Sequence, residues 1–203
     1  MKRYYLAYGS NLNVRQMKWR CPTAKAVGTA IIKDYGLLFK GSKTGAYLTI
    51  EPKVGAEVPV AVWSVEPADE ERLDVYEGCP TFYYKAELEL TVRYFSGKTV
   101  VRKAFMYIMH EERPLGLPSG SYVRTCLDGY RNFDFDESVL LAALENSRRV
   151  SYENRQRFNS SHLSALWGAV RRLSRSVEEV PQHAYLPRLR HTGGLGKHWR
   201  FNR

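Results

Sequence analysis

The stretch between residues 26 and 109 is dominated by short segments rich in valine, isoleucine, tyrosine and phenylalanine, which are separated by glycine, proline and aspartate. This composition is typical of strands joined by short turns. A further strand is predicted at the N-terminus. The predicted strands are Arg3–Tyr8, Ala26–Ile32, Gly36–Lys40, Ala46–Ile50, Val58–Val65, Phe82–Tyr94 and Thr99–Met109. Few helices interrupt the series, so the predicted fold class is α+β: a small, mostly antiparallel or mixed β-barrel with flanking helices.

Local signals also predict helices outside the strands. Asn13 is a candidate N-cap with Gln16 in the capping-box position, and Pro22 ends the helix that follows. The segment EPADEERLDVYEG predicts a second helix, with Pro67 in its first turn and Gly78 after its end. Further helical patterns cover residues 122–130 and 136–145.

The net charge of +10 is concentrated in the C-terminal part of the chain. Residues 148–203 contain 12 lysines and arginines but three acidic residues, whereas the rest of the chain is almost neutral. We therefore divide the chain into a domain at 1–147 and a basic C-terminal extension at 148–203. In the extension, apolar residues three and four apart predict an amphipathic helix at about 160–177, capped by Ser160 or Ser161, and then a mobile tail.

This distribution of charge and apolar residues limits the classes of partner and location. The high isoelectric point describes the extension, so it is weak evidence that the domain binds nucleic acid. For the extension, a helix docked on the domain is favoured, and binding to nucleic acid or another anionic surface is the alternative. No apolar run approaches the length of a membrane span, and the N-terminal one is too short for a signal peptide. Three widely spaced cysteines suit a reducing compartment, so we expect a cytoplasmic protein.

The N-terminal strand runs into Gly9, Ser10 and Asn11, three residues that suit tight or unusual backbone angles. Such a turn lets the backbone approach a ligand closely, and its amides form a concave surface of donors for a carboxylate or an oxyanion. An ordinary turn between a strand and a helix has the same composition. The turn alone therefore leaves both interpretations open.

Glu77 is an acidic residue at the unfavourable end of a predicted helix. The helix macrodipole disfavours an anion at the C-terminus by roughly 0.3–1 kcal/mol. The neighbours of Glu77 along the chain are largely apolar: Leu73, Val75, Tyr76, Cys79 and Phe82. A carboxyl group in such surroundings has a raised pKa, which suits general acid–base catalysis near neutral pH. The alternative is a surface acid that pairs with Lys85 or Arg72.

Other residue types give weaker signals. Four tyrosines cluster in the region after Glu77: Tyr83, Tyr84, Tyr107 and Tyr122. Phenols on strand faces are usually packing residues, although at a site they orient a polar substrate without adding charge. No histidine has a partner at metal-ligand spacing, and no serine-nucleophile or glycine-rich phosphate motif occurs.

Taken in order, these segments resemble the γ-glutamylcyclotransferase-like family, also called AIG2-like. YLAYGSNLN is similar to the N-terminal signature of the family, and LDVYEG is similar to the segment that carries its catalytic glutamate. FMYIM and LPSGSY are similar to a later tyrosine-bearing strand and the loop after it. The resemblance spans residues 4–147. The loop departs from the family pattern of two prolines before the serine and one after it, and the basic extension lies outside the usual pattern.

The resemblance implies a mixed barrel, no metal, no organic cofactor and a small-molecule γ-glutamyl substrate. In the implied reaction, the α-amino group of the substrate attacks its own γ-carbonyl, which gives 5-oxoproline and a free amine. Glu77 is then the catalytic acid–base residue. The implied substrate-binding residues are Tyr8, Gly9, Ser10, Asn11, Tyr83, Tyr107 and Tyr122, with Tyr84 as the alternative to Tyr83. Because the nucleophile is tethered within the substrate, the protein need not supply one.

Two other functions also fit the sequence. A tailoring enzyme that removes a γ-glutamyl cap from a metabolite or peptide would use the same residues. A non-enzymatic binding protein would act through its basic extension. The sequence does not identify the leaving amine, because a single contact in a pocket can change that choice.

Overall fold

The computed structural model describes residues 2–42 and 45–178, but not every side chain of the last helix. In chain order the elements are β1 (Arg3–Ala7), a 3₁₀ turn (Ser10–Leu12), α1 (Val14–Arg20), β2 (Lys25–Ser42), β3 (Gly45–Val65), α2 (Pro67–Glu77), β4 (Tyr83–Tyr94), β5 (Thr99–Met109), α3 (Gly120–Asn132) and α4 (Ser138–Glu178). The strands form a closed barrel in the order β1-β3-β2-β4-β5. β1 runs parallel to β5, and the other neighbouring strands pair antiparallel. The predicted mixed barrel with flanking helices is therefore confirmed.

Four of the predicted short strands are two long ones, β2 and β3. The predicted break between Ile32 and Gly36 is a bulge, where the pairing register shifts between Lys33 and Tyr35. Asp34, between them, has a φ of 59°. A bulge bends a strand without ending it, so the polar residues that suggested a turn curve the barrel wall instead.

Local signals fix the two ends of α2. Glu66 and Asp69 form a capping box, and Pro67 occupies the first turn. Gly78 follows the last helical residue with a φ of 63°, a conformation that favours glycine. The helix therefore ends at Glu77, as the sequence indicated, and this end faces the turn that follows β1.

The 3₁₀ turn is held between α1 and α3. Asn13 caps α1 by accepting a hydrogen bond from the Gln16 amide at 3.1 Å. The second half of the predicted capping box is not formed, because the Asn13 amide donates to the Ser10 carbonyl at 3.1 Å. From the other side, α3 approaches so closely that a Cβ on Gly129 would lie 2.5 Å from Leu12 Cβ.

Helix α4 joins two segments that the sequence suggested were separate. It runs from Ser138 to Glu178, so Ser160 and Ser161 lie inside it and the predicted cap is wrong. No proline interrupts these residues, which explains why the helix continues. The chain divides into compact units between Arg157 and Phe158, and the predicted domain boundary at 147 stays a prediction. Most side chains of the predicted apolar stripe, and the predicted mobile tail, lie outside the described residues.

Two further findings concern the helices and the cysteines. None of the helices in the described ranges combines the length and apolar character that a membrane crossing requires. Cys21, Cys79 and Cys126 are all free thiols. A cytoplasmic location stays a prediction.

Candidate active site

One end of the barrel contains two cavities with a shared wall. The smaller, of about 30 Å³, is lined by Tyr5, Tyr8, Gly9, Ser10, Asn11, Leu48, Glu77, Tyr83, Tyr107 and Tyr122. It includes every residue that the resemblance implied for the site. The larger, of about 480 Å³, is lined by Ser10, Tyr47, Val75, Tyr76, Glu77, Gly78, Phe82, Tyr83, Arg113 and Tyr122. Glu77 belongs to both walls, as do Ser10, Tyr83 and Tyr122, so these residues separate the two spaces.

Glu77 lies at the end of α2 and is bound by a side chain of the N-terminal turn. Asn11 Nδ2 donates to Glu77 Oε1 at 2.8 Å and to the Tyr5 hydroxyl at 2.9 Å. Burial raises the pKa of Glu77 from its ordinary value of 4.5 to about 7, although the Arg20 charge and the Asn11 hydrogen bond both lower it. The carboxyl group can therefore exchange a proton near neutral pH.

The surroundings of Glu77 are more polar than its sequence neighbours suggested. Val75 is 83% exposed, because residues two apart on a helix point in nearly opposite directions. Lys85 bonds Glu70 at 2.6 Å and Asp74 at 2.9 Å, and not Glu77. The raised pKa of Glu77 therefore arises from burial among phenols and amides. Neither an aliphatic pocket nor an ion pair with Lys85 surrounds its carboxyl group.

The backbone of Leu48 in β3 orients two of the predicted tyrosines. Tyr83 donates its hydroxyl to the Leu48 carbonyl at 2.8 Å, and the Leu48 amide donates to the Tyr122 hydroxyl at 3.1 Å. Tyr84 points away and donates to Glu111 at 2.6 Å. Of the two adjacent tyrosines, Tyr83 therefore faces the cavity.

Two more tyrosines connect the inner cavity to β5 and α2. Tyr8 donates its hydroxyl to the Tyr107 carbonyl, and the Tyr107 hydroxyl donates to Asp74 at 2.7 Å. Burial raises the pKa of Tyr8 and Tyr107, and the Glu77 charge contributes to both shifts. These phenols consequently remain protonated and act as neutral hydrogen-bonding groups at physiological pH.

The turn after β1 presents free backbone donors. Its internal bonds run from the Leu12 amide to the Gly9 carbonyl at 2.9 Å and from Asn13 to Ser10. The amides of Gly9, Ser10 and Asn11 make no backbone hydrogen bond within the described residues. A Cβ on Gly9 would lie 3.3 Å from the Tyr122 hydroxyl. Glycine therefore lets the turn approach the tyrosines, and the amides are available to an oxyanion or a carboxylate.

Sequence reasoning missed Arg20, the last residue of α1. Its Nη1 donates to Asn11 Oδ1 at 2.5 Å and its Nη2 to Gln16 Oε1 at 2.6 Å. Its guanidinium lies 3.7 Å above the Tyr76 ring. Arg20 therefore holds the amide that binds Glu77.

One group of potential metal ligands occurs in the part of the chain that the structure describes. Ligand atoms of His110, Glu111 and Glu112 lie within 4.8 Å of one another. None of the three lines either cavity beside Glu77, and Glu111 already accepts the Tyr84 hydrogen bond. This group does not contribute to the site.

The fold thus brings the Glu77 carboxyl group together with buried phenols and the turn after β1. A family model described as "Gamma-glutamyl cyclotransferase, AIG2-like" matches residues 5–124. A curated Gamma-glutamylcyclotransferase from Bos taurus is 31% identical over 183 residues, which cover 87% of this chain and 86% of that protein. One of the same name from Homo sapiens is 30% identical over 136 residues, covering 63% and 70%.

The solved structures agree with the sequence comparisons. One titled "Gamma-glutamyl cyclotransferase" is 25% identical, with a TM-score of 0.57, and the match covers 74% of this chain and 87% of that one. This chain belongs to the γ-glutamylcyclotransferase, AIG2-like family and is an enzyme of that family. The resemblance inferred from the sequence is confirmed.

Proposed function

We propose that this enzyme cyclises the γ-glutamyl group of an amino acid, peptide or amine to 5-oxoproline and releases the free amine. The observation that carries the proposal is the Glu77 carboxyl group, whose pKa burial raises to about 7, beside the free amides of the turn. A base poised near neutral pH and an anion-binding turn are what an intramolecular aminolysis requires.

In the first step, the Glu77 carboxylate removes a proton from the α-ammonium group of the substrate. The freed amine attacks the γ-carbonyl, a C–N bond forms, and the carbonyl oxygen becomes an oxyanion. The amides of Gly9 and Ser10 stabilise that oxyanion. Attack within one molecule gains the effective concentration of a tethered nucleophile.

In the second step, the bond to the leaving nitrogen breaks. Glu77 returns a proton to this nitrogen, so that it leaves as an amine, and the oxyanion collapses to the lactam carbonyl. The ring nitrogen gives up two protons overall and the leaving nitrogen gains two. The carboxyl group therefore acts as base and acid in turn, with solvent completing the exchange.

A substrate panel tests the proposal. The purified full chain is incubated with γ-glutamyl dipeptides, γ-glutamylamines and larger γ-glutamyl-capped peptides, and 5-oxoproline and the free amine are quantified by mass spectrometry. We expect the two products in equal amounts. Turnover confined to the larger capped substrates would favour the tailoring enzyme, and no product from any member would contradict the proposal.

The pH dependence should depend on Arg20. In the wild type, we expect kcat/KM to rise about tenfold per pH unit below pH 7 and then to level off, because the base is the ionised form of Glu77. Arg20→Gln removes a charge that lowers the pKa of Glu77, so the rise should move to higher pH. Arg15→Gln, an exposed cation on the same helix, is the matched control and should not move it. If the pH dependence of kcat/KM is the same in Arg20→Gln as in the wild type, Arg20 does not influence the pKa of the acid–base group.

A further inference from the structure

The loop after β5 carries Arg113 into the wall of the larger cavity, and this loop is firmly attached to β2. Lys40, which is 5% exposed, donates its Nζ to the Glu111 carbonyl at 2.6 Å. On the other side of Arg113, the Gly41 amide donates to the Pro114 carbonyl at 3.0 Å. Because the backbone is held on both sides, the position of Arg113 is set by the barrel.

The guanidinium of Arg113 is oriented but has few partners. Its Cζ lies 4.2 Å from the centre of the Phe82 ring, and its Nη2 reaches the Thr81 carbonyl at 3.4 Å. Its Nε is buried without a hydrogen-bond partner, and the residue forms no ion pair within the described ranges. Stacking on an aromatic ring leaves the donors of a guanidinium free for a planar anion.

Arg113 is also distinctive in the charge of the cavity. Among the described residues that line the larger cavity, Arg113 is the only cation and Glu77 is the only acid. The two are not paired, because Glu77 is held by Asn11. The described part of the cavity wall therefore has one carboxyl group, which it shares with the inner space, and one positive charge without an ion-pair partner.

In the proposed reaction, the wall that contains Arg113 lies next to the leaving group of the substrate. The γ-carbonyl must lie between Glu77 and the amides of the turn, at the junction of the two cavities. The inner space is too small for more than part of the γ-glutamyl group, so the amine substituent extends into the larger space. That substituent is then the part of the substrate that meets Arg113.

We propose that Arg113 is a specificity-determining residue that binds a carboxylate of the leaving amine. The inference rests on the proposed function and narrows it: γ-glutamyl amino acids or peptides are preferred over γ-glutamylamines without an acid. A guanidinium binds a carboxylate through two parallel, charge-assisted hydrogen bonds, which a neutral amide or alkyl group cannot reproduce.

The test compares one substrate with its neutral counterpart. kcat/KM is measured for γ-glutamyl-L-alanine and for γ-glutamyl-L-alaninamide, with wild type, Arg113→Gln and Arg113→Lys. We expect the wild type to prefer the acid by roughly 10- to 100-fold. Arg113→Gln should lose that preference through a higher KM for the acid, with a much smaller change for the amide. Arg113→Lys, which keeps the charge, should retain part of it.

The outcomes separate this proposal from the proposed function. Equal turnover of the two substrates by the wild type, or an acid-to-amide ratio unchanged in Arg113→Gln, would overturn the role of Arg113 and leave the cyclisation intact. An equal loss on both substrates would assign Arg113 to holding the loop, and would also overturn it. No 5-oxoproline from either substrate, or from the wider panel, would overturn both. If Arg113→Gln fails to fold, the wild-type preference and its partial retention in Arg113→Lys decide.

Discussion

The Glu77→Gln variant is expected to lose activity by roughly 10²- to 10⁴-fold in kcat while keeping its fold. Glutamine has the same length as glutamate, and its carbonyl can accept the hydrogen bond from Asn11 that Glu77 Oε1 accepts at 2.8 Å. What it cannot do is take a proton from the substrate and return it. The measurement is the rate of 5-oxoproline formation at saturating γ-glutamyl-L-alanine.

The same substitution is expected to stabilise the protein at alkaline pH. Burial raises the pKa of Glu77 from 4.5 to about 7, so the folded state binds this proton more tightly than the unfolded state does. Wild-type stability should therefore fall as pH rises between these two values. The full shift corresponds to about 3 kcal/mol, and contact of the side chain with the open cavity reduces it, so we expect about 1–3 kcal/mol.

Urea unfolding at pH 5 and pH 8 measures this difference. Glu77→Gln should be more stable than the wild type at pH 8, and the gap should shrink at pH 5. Glu71→Gln is the matched control, because Glu71 is an exposed acid on the same helix and should change neither activity nor stability. Full activity in Glu77→Gln would show that Glu77 is not the catalytic base. If the difference in stability between the variant and the wild type is the same at pH 5 and pH 8, the pKa of Glu77 is not raised in the folded state.

The parts of the site that were predictable depend on local signals. Pro67 and Gly78 mark the ends of α2 within the sequence itself, so Glu77 could be placed at a helix end before its surroundings were known. The turn at residues 9–11 is likewise a local pattern between a strand and a helix. Residues of this kind are fixed by backbone preferences over a few positions.

The parts that the sequence left open or missed depend on long-range packing. Tyr83 and Tyr84 must face opposite sides of β4, since side chains alternate along a strand, but the pairing of Tyr83 with Met109 in β5 decides which faces inward. Arg20 and Arg113 enter the site only because α1 and the loop after β5 are folded back onto it. No periodicity in the sequence reports such contacts.

Gly129→Ala is expected to lower both stability and activity, although alanine in place of glycine usually stabilises a helix by about 1 kcal/mol. Here the new Cβ would lie 2.5 Å from Leu12 Cβ and 2.8 Å from the Asn13 amide nitrogen. Because one of these atoms belongs to the backbone, α3 and the turn must separate. Overpacking of this kind costs about 1–3 kcal/mol, and each kcal/mol lowers Tm by roughly 2–4 °C in a chain of this size.

The effect on activity follows from what the turn carries. Asn11 holds the Glu77 carboxyl group from the same turn that Gly129 contacts, and a displacement of about 1 Å at such a site can cost roughly 10²-fold in rate. Gly120→Ala tests the same change in the same helix, where nothing lies within 4 Å of the new Cβ, and should stay within about 0.5 kcal/mol of the wild type. If Gly129→Ala has the same Tm as the wild type, the close packing of α3 against the turn does not hold the turn in place. If the variant is destabilised but its folded fraction keeps the wild-type kcat/KM, the packing of α3 against the turn contributes to stability only. The position of Asn11 is then fixed by Arg20.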